Sequence, residues 1–76
     1  AVTDAAKSLY LNELALDFAR NHLKTGGNFL VKAFQGAGYQ QFLADMRLSF
    51  AAVYTRKPEA SRNRSSEVYL LGKNKT

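Results

Sequence analysis

The feature that most restricts the fold is a short apolar run that follows two glycines. Residues 28–34 read NFLVKAF, and Lys32 is the one charged residue among them. An apolar run of this length without alternation is typical of an interior strand that is covered on both faces. Thr25, Gly26 and Gly27 precede it and favour the end of a helix, because glycine readily adopts the left-handed conformation that closes one.

Helical spacing of apolar residues appears on both sides of this strand. Residues 6–23 predict an amphipathic helix whose apolar face comprises Leu11, Leu14, Ala15, Phe18 and His22. Residues 39–49 predict a second helix, with an apolar face comprising Tyr39, Phe42, Leu43, Met46 and Phe50. The two helices are expected to cover the sheet to which the strand belongs.

The rest of the chain predicts two more strands. Residues 51–57 form one, ended by Pro58, and residues 66–71 form the other, after a polar, positively charged loop at 58–65. The final GKNKT is expected to be a frayed tail. The strand–helix–strand order predicts a parallel crossover, and the short last loop allows the final strand to run antiparallel. The expected fold class is α/β, as the closing segment of a larger sheet.

Length and composition exclude several classes of protein. The 76 residues allow at most one small domain, and a hydrophobic content of 46% argues against a disordered tail. No apolar stretch approaches the roughly 20 residues needed to cross a bilayer. The absence of cysteine excludes disulfides and thiolate metal sites, which suits a cytoplasmic protein. Ala1 in place of an initiating methionine suggests a fragment or a processed chain.

The positive charge is concentrated in the last third of the chain. The formal net charge of +5 divides into +1 for residues 1–50 and +4 for residues 51–76. A basic segment of this kind is what a polyanion-binding face requires, although a solubilising surface with a basic tail has the same composition. Arg62 and Arg64, with serines around them, can grip phosphate oxygens, but the pattern alone is weak.

Lys32 and Glu67 are the two residues whose charge is at odds with their surroundings. Lys32 interrupts an apolar strand, so it must reach solvent, pair with a carboxylate, or take part in chemistry. Glu67 opens the last strand and lies near Lys32 if that strand is the neighbour of the first. The alternative for both is a structural ion pair or an exposed charge.

Three distinctive strings follow one another along the chain. They are residues 26–36 (GGNFLVKAFQG), residues 56–62 (RKPEASR) and residues 66–69 (SEVY). In order and spacing they resemble the FtsJ/RrmJ family of ribosomal RNA 2′-O-ribose methyltransferases. The resemblance covers nearly the whole chain. It implies the C-terminal portion of a Rossmann-like methyltransferase fold, here two helices and a three-stranded mixed sheet whose last strand is antiparallel and central.

The resemblance also implies roles for individual residues. The family's active site is a Lys-Asp-Lys-Glu tetrad, in which Lys32 matches the second lysine and Glu67 the glutamate. The first lysine, the aspartate and the S-adenosylmethionine site belong to an upstream half, so residues 1–76 are expected to hold no cofactor-binding residue, and no metal is required. Arg56, Lys57, Arg62 and Arg64 are then expected to contact RNA.

The main hypothesis is therefore S-adenosylmethionine-dependent 2′-O-methylation of ribose in large-subunit ribosomal RNA by the intact protein. The alternative is a non-catalytic basic RNA-binding module, and a third hypothesis is a parent whose tetrad is degenerate upstream. Only the enzyme requires Lys32. The 76 residues alone are expected to be inactive and to self-associate, because the strand at 28–34 would expose an unpaired edge.

Overall fold

The computed structural model of the chain describes residues 4–57 and 66–76, and it contains five elements in the predicted order. They are helix α1 (Asp4–His22), strand β1 (Phe29–Phe34), helix α2 (Tyr39–Ser49), strand β2 (Phe50–Arg56) and strand β3 (Glu67–Lys75). The glycines before β1 and the turn around Gly36 and Gly38 separate the elements as expected, with Gly26 and Gly38 both at positive φ.

The three strands form a sheet in the order β1-β3-β2. The last strand is central and antiparallel to both neighbours, which confirms that part of the expectation. The expected mixed sheet needs correction: both ladders among the described residues are antiparallel. β1 and β2 do run in the same direction, as a crossover requires, but β3 lies between them and takes the hydrogen bonds that a parallel pair would have formed.

The predicted frayed tail at 72–76 is wrong, because β3 continues to Lys75. Phe50, Ala52 and Val53 of β2 lie opposite Lys75, Lys73 and Gly72 of this extension. On the other side, the Gly26 N–H donates to the Lys75 carbonyl at 2.8 Å, and the Lys75 N–H donates to the Gly27 carbonyl at 2.9 Å. The polar composition of residues 72–76 predicted a solvated tail. Instead, hydrogen bonds to backbone groups of distant segments hold these residues in place.

Both helices pack on the same face of the sheet and enclose one core. Its buried residues are Leu16, Ala33, Tyr39, Phe42, Leu43, Met46, Phe50, Val68 and Leu70. The five residues predicted for the apolar face of α2 and its end are all in this set, so that face is confirmed. Val68 and Leu70 supply the central strand's contribution, alternating with residues on the open face.

The predicted apolar face of α1 is wrong. Leu11, Leu14 and Phe18 are 61%, 50% and 65% exposed, whereas Leu16 and Ala19 are buried. α1 has two apolar stripes, and the structure buries the other one. β1 likewise lies at an edge of the described sheet and is covered on one face, with Leu30 63% exposed on the other.

Candidate active site

Lys32 and Glu67 meet on adjacent strands, as predicted. Lys32 lies opposite Tyr69 in the β1–β3 ladder, and Phe34 lies opposite Glu67, so the two charged residues are diagonal neighbours on the same face. The Lys32 Nζ and the Glu67 Oε2 are 3.6 Å apart. This distance is that of an ion pair rather than of a short hydrogen bond.

The pair is open to solvent on the face that the helices leave uncovered. The Lys32 side chain is 51% exposed and that of Glu67 is 21% exposed. An ion pair with this much exposure contributes little to folding stability. An incoming molecule can therefore reach both the amine and the carboxylate, and neither group is part of the hydrophobic core.

Two of the predicted RNA-contacting residues lie at the same end of the sheet. Arg56 is opposite Tyr69 across the β2–β3 ladder, on the side away from Lys32. The Lys57 Nζ donates a long hydrogen bond of 3.5 Å to the Glu67 carbonyl. The structure thus brings Arg56 and Lys57 beside the Lys32–Glu67 pair. Arg62 and Arg64 lie outside the described residues.

Tyr69 is a residue of this site that the sequence reasoning left unassigned. The two ladders align Lys32, Tyr69 and Arg56 in one row across all three strands, and directly opposite residues share a face. Tyr69 is 39% exposed between the two cations. Its position two residues after Glu67 was the available signal, since alternate strand residues point to the same face.

The open face continues away from this row as a basic and aromatic surface. A groove of about 250 Å³ there is lined by Tyr54, Arg56, Leu71 and Lys73. Tyrosine rings beside arginine and lysine offer both stacking and charge to a nucleic acid. The buried side chains of the three strands are apolar, namely Ala33, Phe50, Val68 and Leu70, so the two faces of this sheet have different chemical character.

Asn12 of α1 is a second residue that the sequence reasoning missed. Its side-chain Nδ2 donates to the backbone carbonyl of Lys32 at 2.8 Å. It links the helix to the residue at the centre of the site, although the two are far apart in the sequence. The signal was a polar residue on the stripe of α1 that the structure buries, but that stripe was not the one predicted.

The cavity that the described residues form after β1 is small. The cavity that follows β1, lined by Phe34, Gln35, Gly36 and neighbouring residues, has a volume of about 30 Å³. Cofactor-sized ligands occupy clefts of about 300 Å³ or more. This cavity, which neither Lys32 nor Glu67 lines, is by itself too small for S-adenosylmethionine. Among the described residues, neither helix has the length and apolar character needed to span a membrane.

Comparison with known proteins gives the class of the chain. The model of the FtsJ-like methyltransferase family matches residues 1–75. The chain belongs to this family, in agreement with the resemblance found in the three sequence strings.

Individual relatives agree with the family match. The chain is 75% identical over 75 residues to the ribosomal RNA large subunit methyltransferase E of Neisseria gonorrhoeae, which covers 99% of the chain and 36% of that protein. Proteins of the same name from Chromobacterium violaceum and an Azoarcus species are 64% and 62% identical, over 92% and 95% of the chain. The chain spans about a third of the length of these curated relatives.

Proposed function

We propose that the intact protein containing this chain methylates a ribose 2′-hydroxyl of large-subunit ribosomal RNA, and that Lys32 and Glu67 act on that hydroxyl. The observation that supports this most strongly is the solvent-accessible Lys32–Glu67 pair, 3.6 Å apart on adjacent strands. Membership of the FtsJ-like methyltransferase family and the names of the relatives support the reaction class and the substrate. The chain then corresponds to the C-terminal part of a methyltransferase domain.

In the proposed reaction, residues of this chain activate the ribose hydroxyl that accepts the methyl group. A ribose hydroxyl is a poor nucleophile until its proton is drawn away. As a neutral amine, Lys32 accepts that proton; as an ammonium, it stabilises the negative charge that develops on the oxygen. Glu67 holds the lysine nitrogen toward the hydroxyl. S-adenosylmethionine supplies the methyl group, and residues outside the 76 hold it.

The proposed RNA contacts extend from this pair. Arg56 and Lys57 lie beside it, and Arg62 and Arg64 follow in the basic sequence at 58–65. Guanidinium groups suit phosphate oxygens because they can donate two hydrogen bonds at once. Phosphate contacts at these positions would set the register of the RNA and bring one ribose to Lys32. We propose a cytoplasmic protein, since its proposed substrate is ribosomal RNA.

Replacement of Lys32 tests this function against the non-catalytic RNA-binding module. In the intact methyltransferase, Lys32→Ala is expected to lower methyl transfer by at least about 100-fold and to leave the affinity for S-adenosylmethionine unchanged. The measurement is incorporation of labelled methyl groups into ribosomal RNA under single-turnover conditions. Lys7→Ala removes an exposed lysine of α1 and serves as the matched control.

The outcomes separate the hypotheses. Near-normal turnover of Lys32→Ala would exclude Lys32 as the acceptor-activating residue. RNA binding without methyl transfer by the unmodified intact protein would favour the binding module or a parent with a degenerate tetrad.

We also propose a second copy of this chain as a partner of the isolated 76 residues. β1 is an edge strand of the described sheet, with Leu30 exposed on it. The neighbouring α1 exposes Leu11, Leu14 and Phe18. Edge strands with few charges are templates for pairing with another chain, and the apolar residues beside this one would be buried in the same contact.

A further inference from the structure

Glu67 has a cationic neighbour on each side across the open face of the sheet. Lys32 on β1 and Arg56 on β2 both lie opposite Tyr69 of β3. Because Glu67 is two residues before Tyr69 and shares its face, each cation is a diagonal neighbour of the carboxylate. Both strands beside β3 belong to the described chain, so a strand outside the 76 residues cannot take either place.

The two cations nevertheless lie on different sides of this row. The Lys32 Nζ is 3.6 Å from the Glu67 Oε2. Arg56 instead lines the groove of the open face with three side chains, namely Tyr54, Leu71 and Lys73. All three lie beyond Tyr69 as seen from Glu67, because β3 runs from Glu67 through Tyr69 toward its end at Lys75.

The chemistry of the side chains favours the opposite pairing. A guanidinium can donate two parallel hydrogen bonds to one carboxylate, whereas an ammonium acts as a point charge. Arg56 is therefore the stronger potential partner of Glu67, and the observed pairing of Glu67 with Lys32 needs a physical reason. The side chain that lies next to all three charged residues is that of Tyr69.

We propose that Tyr69 is a positioning residue that keeps Arg56 from pairing with Glu67, an inference that rests on the proposed function. Its ring stands in the row between Lys32 and Arg56 and is 39% exposed. The ring occupies the space through which the guanidinium would turn toward the carboxylate. Glu67 then stays with Lys32, and Arg56 stays available for a phosphate group of the RNA.

Four variants of the intact methyltransferase isolate the effect of the ring. Tyr69→Leu removes the ring and keeps an apolar side chain, whereas Tyr69→Phe keeps the ring. Arg56→Gln removes the competing charge, alone and together with Tyr69→Leu. Tyr10→Leu is the matched control, because it makes the same exchange at a tyrosine of α1 that is 63% exposed and lies outside the row.

The measurements are kcat and KM for ribosomal RNA. Tyr69→Leu is expected to lower kcat by about 10-fold, because Arg56 then draws Glu67 away from Lys32. Adding Arg56→Gln to Tyr69→Leu is expected to restore kcat to within about 3-fold of the parent, while KM stays raised by the lost phosphate contact. The conservative variant Tyr69→Phe and the control Tyr10→Leu are expected to have a kcat within about 2-fold of the parent. A general defect of folding at Tyr69 would not be repaired by removing Arg56.

Lys32→Ala, measured in parallel, separates failure of this inference from failure of the proposed function. If Lys32→Ala is inactive and Tyr69→Leu has the parent's kcat, the inference is overturned and the proposed function stands. The same conclusion follows if Tyr69→Leu is impaired and Arg56→Gln restores nothing, or if Tyr69→Phe is as impaired as Tyr69→Leu. If Lys32→Ala keeps its turnover, the proposed function fails, and with it any role of Tyr69 that acts through Lys32.

Discussion

Lys32 illustrates how a single residue serves two parts of the structure at once. Its backbone carbonyl accepts a hydrogen bond from Asn12 on one side of the sheet edge, and its side chain meets Glu67 on the open face. The half-exposed lysine reaches solvent and also pairs with a carboxylate, so both structural explanations offered for it apply. Neither solvent exposure nor this ion pair prevents the amine from reacting, because an exposed ion pair at this distance is weak.

Charge reversal at Arg62 and Arg64 tests the proposed RNA contacts of the basic segment at 58–65. In the intact methyltransferase, Arg62→Glu with Arg64→Glu is expected to weaken RNA binding and to reduce the slope of log affinity against log salt concentration by about 2, because each phosphate contact releases counterions. Arg47→Glu on the exposed side of α2 is the control, with no expected change in the slope. The measurement is a titration of RNA at several salt concentrations. An unchanged slope in the double variant would exclude Arg62 and Arg64 as RNA contacts.

Among the elements, β3 contains a glycine, Gly72, at a position where the neighbouring side chains leave no room for a Cβ atom. A Cβ atom at Gly72 would lie 2.6 Å from the ring of Phe50 on β2. Phe50 is buried and stacks on Phe29, with ring centroids 5.9 Å apart. The close approach of the β3 backbone to this ring explains why the strand contains a glycine, although glycine has a poor strand propensity.

Gly72→Ala is therefore expected to lower the free energy of unfolding by about 1–3 kcal/mol, through overpacking against Phe50. Urea denaturation of the 76-residue chain measures it. Phe50→Leu provides the companion variant, because a smaller side chain relieves the clash: the double variant should lose less than the two single losses together. Simple additivity of the two losses would mean that the ring moves aside without cost.

At the scale of the whole molecule, several large apolar side chains lie exposed outside the core. Leu11, Leu14 and Phe18 of α1 and Leu30 of β1 are all at least half exposed. Among the described residues, β1 is an edge strand, and Asn12 contacts its outer side. Such an apolar surface can be buried in two ways: against a second copy of the chain, or against protein residues outside it.

Light scattering of the isolated chain at increasing concentration tests the first way. The mean mass is expected to rise above 8.4 kDa with concentration. Leu30→Lys places a charge on the edge strand and is expected to reduce the association. Leu48→Lys changes the most exposed large hydrophobic residue, 78% exposed on α2, and is expected to leave association unchanged. A monomeric mass at every concentration would refute the proposal.

Local signals in the sequence were sufficient for the order of the elements and for α2. The apolar face of α2 was predictable because Tyr39, Phe42, Leu43 and Met46 form its single apolar stripe. The adjacency of Lys32 and Glu67 was predictable from the antiparallel, central last strand that the family resemblance implied. These features depend on patterns that lie within one segment or on the resemblance to a known family.

The buried stripe of α1, the length of β3 and the hydrogen bond from Asn12 to the Lys32 carbonyl could be found only in the folded chain. α1 has two apolar stripes, and its orientation over β1 selects the one that contains Leu16 and Ala19. The polar end of β3 becomes a strand because Gly26, Gly27 and β2 supply backbone partners from far along the chain. Periodicity records which faces a segment can bury, but the neighbours that bury them, and the carbonyl that Asn12 reaches, exist only once distant segments have packed together.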